Sequence, residues 1–286
     1  MRVRGSTRAS EEKQAVGGFG YDWHMAIDYV LAVGCEPQKT LGVERLVELH
    51  RTRILARSAL AHMREDGETR PPSEIEVQLT VRKPGGDAGR GVTLQNLMDE
   101  AAPLDKVSHQ CATCPAGFPR EFACHRRIRY PIPERVEEWL MARLPSELAT
   151  TAGALLVRGL GEFGWDGAPT AKLRAAGDTY FESRVAHGVR WAGTDGNIEI
   201  SSDQLFQMMF MVGHLAPTHC LMLALFLGVI PHDTSVHLLK DEAGRSEALA
   251  AASVPTETDS DTEQLAAFLR ALAIAVRLDK TILIDG

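Results

Sequence analysis

Three cysteines fall inside the stretch HQCATCPAGFPREFACHRRIRYPI, residues 109–132: Cys111, Cys114 and Cys124. Cys111 and Cys114 form C-x-x-C, a spacing that turns two thiolates onto one metal through a short knuckle. Cys124 follows after nine intervening residues and offers a third ligand. Soft thiolates select zinc or an iron–sulfur cluster, and both take four ligands. The expected fourth is Cys35, because a distant ligand would staple the first strand to the knuckle. The alternatives are His109, two residues before Cys111, and His125. His125 adjoins Cys124, and adjacent residues share one tetrahedral ion poorly. Cys220 lies in a strongly apolar stretch and reads as a small buried residue. The expected cofactor is structural zinc. An iron–sulfur cluster is the alternative, and Pro115 directly after Cys114 fits the cysteine–proline junction of cluster proteins. A redox C-x-x-C would open a helix after a strand. Here Pro115, Ala116 and Gly117 follow, so the chain is expected to loop.

The knuckle carries charge and rings. Arg120, Arg126, Arg127, Arg129 and Arg135 interleave with Phe118, Phe122 and Tyr130. Such a surface suits a phosphate-bearing ligand or single-stranded nucleic acid. The competing reading pairs these arginines with the chain's acids, and the net charge of −7 favours it. His214, His219, His232 and His237 are close in sequence, but no H-e-x-x-H spacing occurs, so they read as core or turn histidines. GLGEFG, residues 159–164, follows a helical pattern rather than a strand and is no dinucleotide loop. Asp28, Asp241 and Asp285 lie in or beside candidate strands. Carboxylates there can bind Mg²⁺ or work in catalysis, but polar-face or capping roles are the preferred reading.

Five cysteines in 286 residues are too few for a secreted disulfide scaffold, and three clustered ones point to a metal site in a reducing, cytoplasmic setting. The acidic balance weighs against a protein that coats nucleic acid or anionic membrane. The apolar stretch 205–230 is interrupted by His214, Pro217 and His219, so it reads as two buried helices with Pro217 opening the second, not as a membrane span. The expected function is that of a metal-binding adaptor or binding protein. It would act in a protein complex or on a phosphate-bearing or nucleic-acid ligand, with a protein partner preferred over nucleic acid. A metal- or cluster-dependent enzyme is the alternative.

Positioning these residues requires a scaffold. Residues 1–21 read as a disordered lead-in. In MAIDYVLAV, Ile27, Tyr29, Leu31 and Val33 alternate with Ala26, Asp28, Val30 and Ala32, which predicts a strand. Residues 41–65 carry Val43, Leu46, Val47, Ile54 and Ala61 at helical spacing. EIEVQLTVR predicts a second strand, residues 83–91 a turn-rich loop, and Val92–Leu94 a short returning strand before a helix capped by Thr93. Helices follow at 135–145, 146–164 and 171–177, an extended segment at 179–191, a tight turn at 194–197, and a helix capped by Ser201 or Ser202. Residues 235–241 read as a strand, 243–261 as a loop, 262–278 as an amphipathic helix and 281–286 as a closing strand. The fold class is α+β: strand–helix–strand units at both ends, a mostly helical middle, and the Cys-rich knuckle between. The expected parts are 1–21, 22–108, 109–135, 136–230 and 231–286. The terminal units are expected to share one sheet or to form two small layers.

Overall fold

The computed structural model describes residues 20–21, 26–81, 88–177, 179–193, 196–254, 256 and 259–285. Of the expected lead-in, residues 1–19 lie outside them, as do most of the loop over 83–91, the tip of the turn at 194–197 and part of the acidic loop near 257, while Gly20–Tyr21, also read as lead-in, form a short strand.

The chain opens with β1 (Gly20–Tyr21) and β2 (Ala26–Leu31), then α1 (Glu36–Leu41) and α2 (Val43–Glu65). Strands β3 (Glu76–Val81) and β4 (Ala88–Thr93) lead into α3 (Leu94–Ala101). A 3₁₀ turn, Ser108–Thr113, precedes β5 (His125–Arg129). Next come α4 (Glu134–Met141), α5 (Thr151–Phe163) and α6 (Ala168–Ala175), then the strand pair β6 (Gly188–Gly193) and β7 (Gly196–Ser201). The rest is α7 (Ser202–Phe210), β8 (His214–Leu215), α8 (Pro217–Phe226), α9 (Val236–Leu239), α10 (Glu242–Ala250), α11 (Ser260–Leu278) and β9 (Ile282–Asp285). The class is α+β, with strands at both ends.

The two ends meet in one sheet. Its order is β5-β2-β9-β8, and every pairing is antiparallel. The alternation expected for β2 explains its two faces. Tyr29 packs edge-on against Phe268 of α11, with ring centroids 5.1 Å apart. Asp28 and Val30 point the other way, toward α2. β1, β3 and β4 form a second, three-stranded sheet. It shares a small core of Ile75, Val77 and Val92 with Leu55, Ala56 and Ala59 of α2 and with Leu94 and Leu97 of α3.

Several segments differ from the sequence reading. Residues 236–239 are helical, started by Ser235, whose side chain accepts from the His237 N–H. Residues 242–250 form α10, capped by Asp241, where a loop was expected. Serine and aspartate caps favour helix at these points although the apolar pattern is weak. β4 reaches back to Ala88, taking in part of the expected loop. The extended segment narrows to β6. Among the residues expected to line helix α2, Ala61 is exposed, while Leu49, Leu55 and Ala59 are buried instead. Gly42, with φ near +79°, also separates a short α1 from α2. Ser201 caps α7 in a reciprocal capping box with Gln204, and Pro217 opens α8 as expected.

The helical middle is tied by a buried charge network. Arg174 donates to Glu137 at 2.6 and 3.0 Å, to Asp203 at 2.8 and 3.0 Å, and to the Ser183 carbonyl at 2.7 Å. The Ser202 hydroxyl adds a 2.7 Å bond to Glu137, which is fully buried. The guanidinium also lies over the Phe181 ring, 4.1 Å from its centroid. Arg174 thereby joins α4, α6 and α7. Removing one partner of such a network leaves an uncompensated buried charge, which is more damaging than replacing both. Glu137→Gln should lower stability by about 3 kcal/mol, read as a lower urea midpoint with an unchanged slope. An unshifted midpoint would show that the network contributes nothing.

Candidate functional site

Four of the five cysteines line one small cavity. Cys35 sits at the N-terminus of α1, Cys111 within the 3₁₀ turn, Cys114 at that turn's end, and Cys124 immediately before β5. Pro37, Leu46, Phe118, Arg120, Phe122 and Ala123 complete the wall. The turn is built locally: the Cys114 N–H donates to the Cys111 carbonyl at 3.1 Å, and the Gly117 N–H to the Cys114 carbonyl at 2.9 Å. The C-x-x-C therefore sits in a helical turn rather than an open loop. Gln38 fixes the other side. Its amide accepts from the Gly34 N–H at 2.8 Å, donates to the Leu31 carbonyl at 2.9 Å, and reaches the Cys124 sulfur at 3.7 Å.

Phe122 closes the loop at a conformational cost. Its φ is +54°, a region that aromatic residues rarely occupy. In that conformation its N–H points at the Cys111 sulfur, 3.4 Å away, and its ring is buried against Leu46, Leu49 and Leu104. Burial raises the Cys35 and Cys111 thiols above their ordinary pKa. Burial, with Cys35, Cys114 and Cys111 close by, pushes the Cys124 thiol up to about 12.

The other sequence candidates go elsewhere. His109 is exposed and does not line the cavity. Cys220 is buried in α8 with its sulfur 3.6 Å from the Leu215 carbonyl. His214 is exposed on β8, and the His219 ring stacks on Trp165 at 5.5 Å. His232 lies 3.3 Å from the Phe226 carbonyl. Among the described residues, the metal-binding atom types that gather within 4.8 Å of one another belong to Glu134, Glu138 and His187 at the surface. The GLGEFG stretch runs along α5 and ends at Gly164 in a left-handed cap. Residues 125–129, read from sequence as part of the knuckle, form a strand. Arg126 and Arg127 therefore pair with Tyr29 and Asp28 across β2. Arg127 is drawn to Asp28 at 3.3 Å, and Arg135 to Asp259 at 3.0 Å and Asp261 at 2.5 Å. Arg129 is exposed at the strand end, and Arg120 joins the cavity wall.

The residue next to Cys124 faces a second site, which the sequence reading left as a polar strand face. His125 is buried and its Nε2 lies 2.7 Å from Asp28 Oδ1. Its Nδ1 meets His50 Nδ1 at 2.9 Å, which requires one proton shared between the rings. Arg51 donates to Asp28 at 3.0 Å and to Asp285 at 2.7 Å. Asp28, Arg51, His125 and Asp285, with Val43, Val47 and others, line a pocket of about 400 Å³ between α2 and the sheet. That size suits a small ligand. Asp28 and Asp285 stand side by side because their strands pair in that register.

Electrostatics hold the pocket charged. Burial would raise the Asp28 pKa, but the His125 hydrogen bond and the Arg127, His125 and Arg51 charges bring it to about 2. Burial, reinforced by the charges of His125 and nearby arginines, lowers His50 to about 3, so His50 is neutral at pH 7. A search of protein families, curated proteins and solved structures found no match to this chain.

Because Asp28 binds protons more weakly in the folded chain, its ionised form contributes stability above its ordinary pKa of 3.8, and that contribution is lost as pH falls through about 2. Asp28→Asn should cost about 2 kcal/mol at pH 7 and flatten the acid limb of the stability curve. Parallel acid limbs for the two proteins, measured by denaturant unfolding between neutral and strongly acidic pH, would refute this.

Proposed function

We propose that this chain is a metal-centre protein in which Cys35, Cys111, Cys114 and Cys124 hold a metal cofactor. Its sequence-expected form is zinc, in a reducing, cytoplasmic setting. The observation that carries this reading is the convergence of four cysteines, from three separate parts of the chain, on one cavity, while the fifth stays in the apolar core. The centre would fasten α1 and the end of β2 to the segment ahead of β5. Its work would be structural, in an adaptor or binding module with a protein partner. A phosphate-bearing or nucleic-acid ligand is the weaker choice, since Asp28, Asp259 and Asp261 already engage Arg127 and Arg135. No helix among the described residues is long and apolar enough to cross a membrane.

A second reading, an enzyme, is favoured by one observation. The pocket beside Cys124 presents a buried carboxylate–imidazole pair, with Arg51 and Asp285 at its rim. Such a pair is the usual means of orienting a general base. If an activity is found, His125→Asn should abolish it while metal content is kept. Metal loss in that variant would instead assign His125 to the centre.

Elemental analysis of the purified protein tests the main reading. Metal should be present, and Cys111→Ser and Cys124→Ser should lose it and lower the unfolding midpoint, since metal binding is coupled to folding. Cys220→Ser should keep it. Metal-free wild-type protein with full stability in chelator would end the proposal.

A further inference from the structure

The 400 Å³ pocket between α2 and the central sheet is walled in two ways. On the sheet side, Val30 of β2 pairs in register with Leu283 of β9, and two residues along Asp28 pairs with Asp285. An apolar step thus adjoins a charged one. On the helix side, Val43 and Val47 line the pocket one turn apart, with Glu44 and Glu48 beside them in the next row. The charged groups deepest in the pocket are already engaged. His125 uses one ring nitrogen on Asp28 and the other on His50. Arg51 bridges Asp28 and Asp285. The charges left at the mouth are carboxylates. Glu48 meets Arg45 at 3.0 Å in an exposed pair, which holds it weakly. Glu44 meets no cation among the described residues.

We infer that this pocket binds a small organic cation, an amine carried on an apolar stem. The stem would lie between Val43 and Val47 on one side and Val30 and Leu283 on the other, where its burial is favourable. The ammonium would sit at the mouth between Glu44 and Glu48. Like charges four residues apart on a helix repel each other, and a cation placed between them relieves the repulsion. A cleft lined mainly by one sign of charge also concentrates ligands of the opposite sign. An anion has no such place. Arg51, the basic side chain in the lining, is shared by two carboxylates, and an incoming anion would have to displace one of them while facing Glu44 and Glu48. The volume suits a molecule of a few to a dozen or so non-hydrogen atoms, not a bare ion, which would leave the valine walls uncovered. Naming the cation as a substrate rests on the enzyme reading above; its binding needs neither catalysis nor the cysteine centre.

Four probes test the charge and the stem separately: benzylamine, benzyl alcohol, benzoate and methylamine. Each is titrated into the full-length protein and followed by calorimetry and by backbone amide chemical shifts. Benzylamine should bind about tenfold or more tightly than each of the other three, with shifts centred on Val30, Val43, Val47 and Leu283. The double variant Glu44→Gln, Glu48→Gln should weaken benzylamine about tenfold and leave benzyl alcohol unchanged. Both positions are exposed, and an unaltered unfolding midpoint would confirm that the double variant is folded. Glu162→Gln, a remote exposed carboxylate on α5, should change nothing. Benzoate or benzyl alcohol binding as tightly as benzylamine would overturn the inference, as would benzylamine binding that survives the double variant. Methylamine matching benzylamine would overturn the stem, and no shift at the pocket with any probe would overturn the site. None of these results touches the metal content, and the loss of a measured activity in His125→Asn would still support the enzyme reading if amine binding failed.

Discussion

The carboxylate of Asp28 has to remain charged in the middle of a sheet, and much of the architecture follows from how this is achieved. β2 lies between β5 and β9, so its side chains meet neighbours on both edges. On one edge the register places Arg127 beside Asp28, and on the other it places Asp285. His125 and Arg51 complete the shell. An ionised group with this little exposure is tolerable only with such partners. The partners come from α2, β5 and the last strand, so satisfying one carboxylate requires the two ends of the chain to come together.

The same register explains why the two candidate sites adjoin. Cys124 and His125 are neighbours at the mouth of β5. One contributes a thiol to the cysteine cavity and the other an imidazole to the pocket over the sheet. The Leu31 N–H donates to the Cys124 carbonyl at 2.8 Å, so the end of β2 is attached to this junction directly. Gln38 then ties Leu31 and Gly34 to the Cys124 sulfur. The cysteine cavity is thus an extension of the sheet edge rather than a separate module hung on a loop.

Helix α2 sets the limits of both regions. Its first turns line the pocket through Val43, Val47 and Arg51, while Leu46 and Leu49 pack under the cysteine turn around Phe122. Its later turns leave the central sheet and cover the three-stranded one. A long helix serving three separate apolar contacts cannot show one clean stripe. That is why the sequence pattern located the helix but misplaced part of its buried face: Ala61 is exposed, and Leu49, Leu55 and Ala59 are inside.

How much was legible follows from the range of the interactions. Local chemistry was readable: the alternation of β2, the serine cap and capping box of α7, Pro217 at the start of α8, and the C-x-x-C spacing all act over a few residues. Nothing local in the sequence distinguishes Cys35 from His109 and His125 as a fourth ligand, and only the folded chain sets Cys35 on the same cavity as the other three cysteines. Residues 236–239 were misread because a short apolar run is compatible with strand or helix until its cap and neighbours choose. The Asp28–His125–His50 chain and the Arg174 network had no sequence signal, since their members are far apart and ordinary in type. The sequence alone determined which residue types and local turns were available for chemistry. The tertiary structure decided which of them meet, because strand register and helix packing, not spacing along the chain, set the distances over which thiols, imidazoles and carboxylates interact.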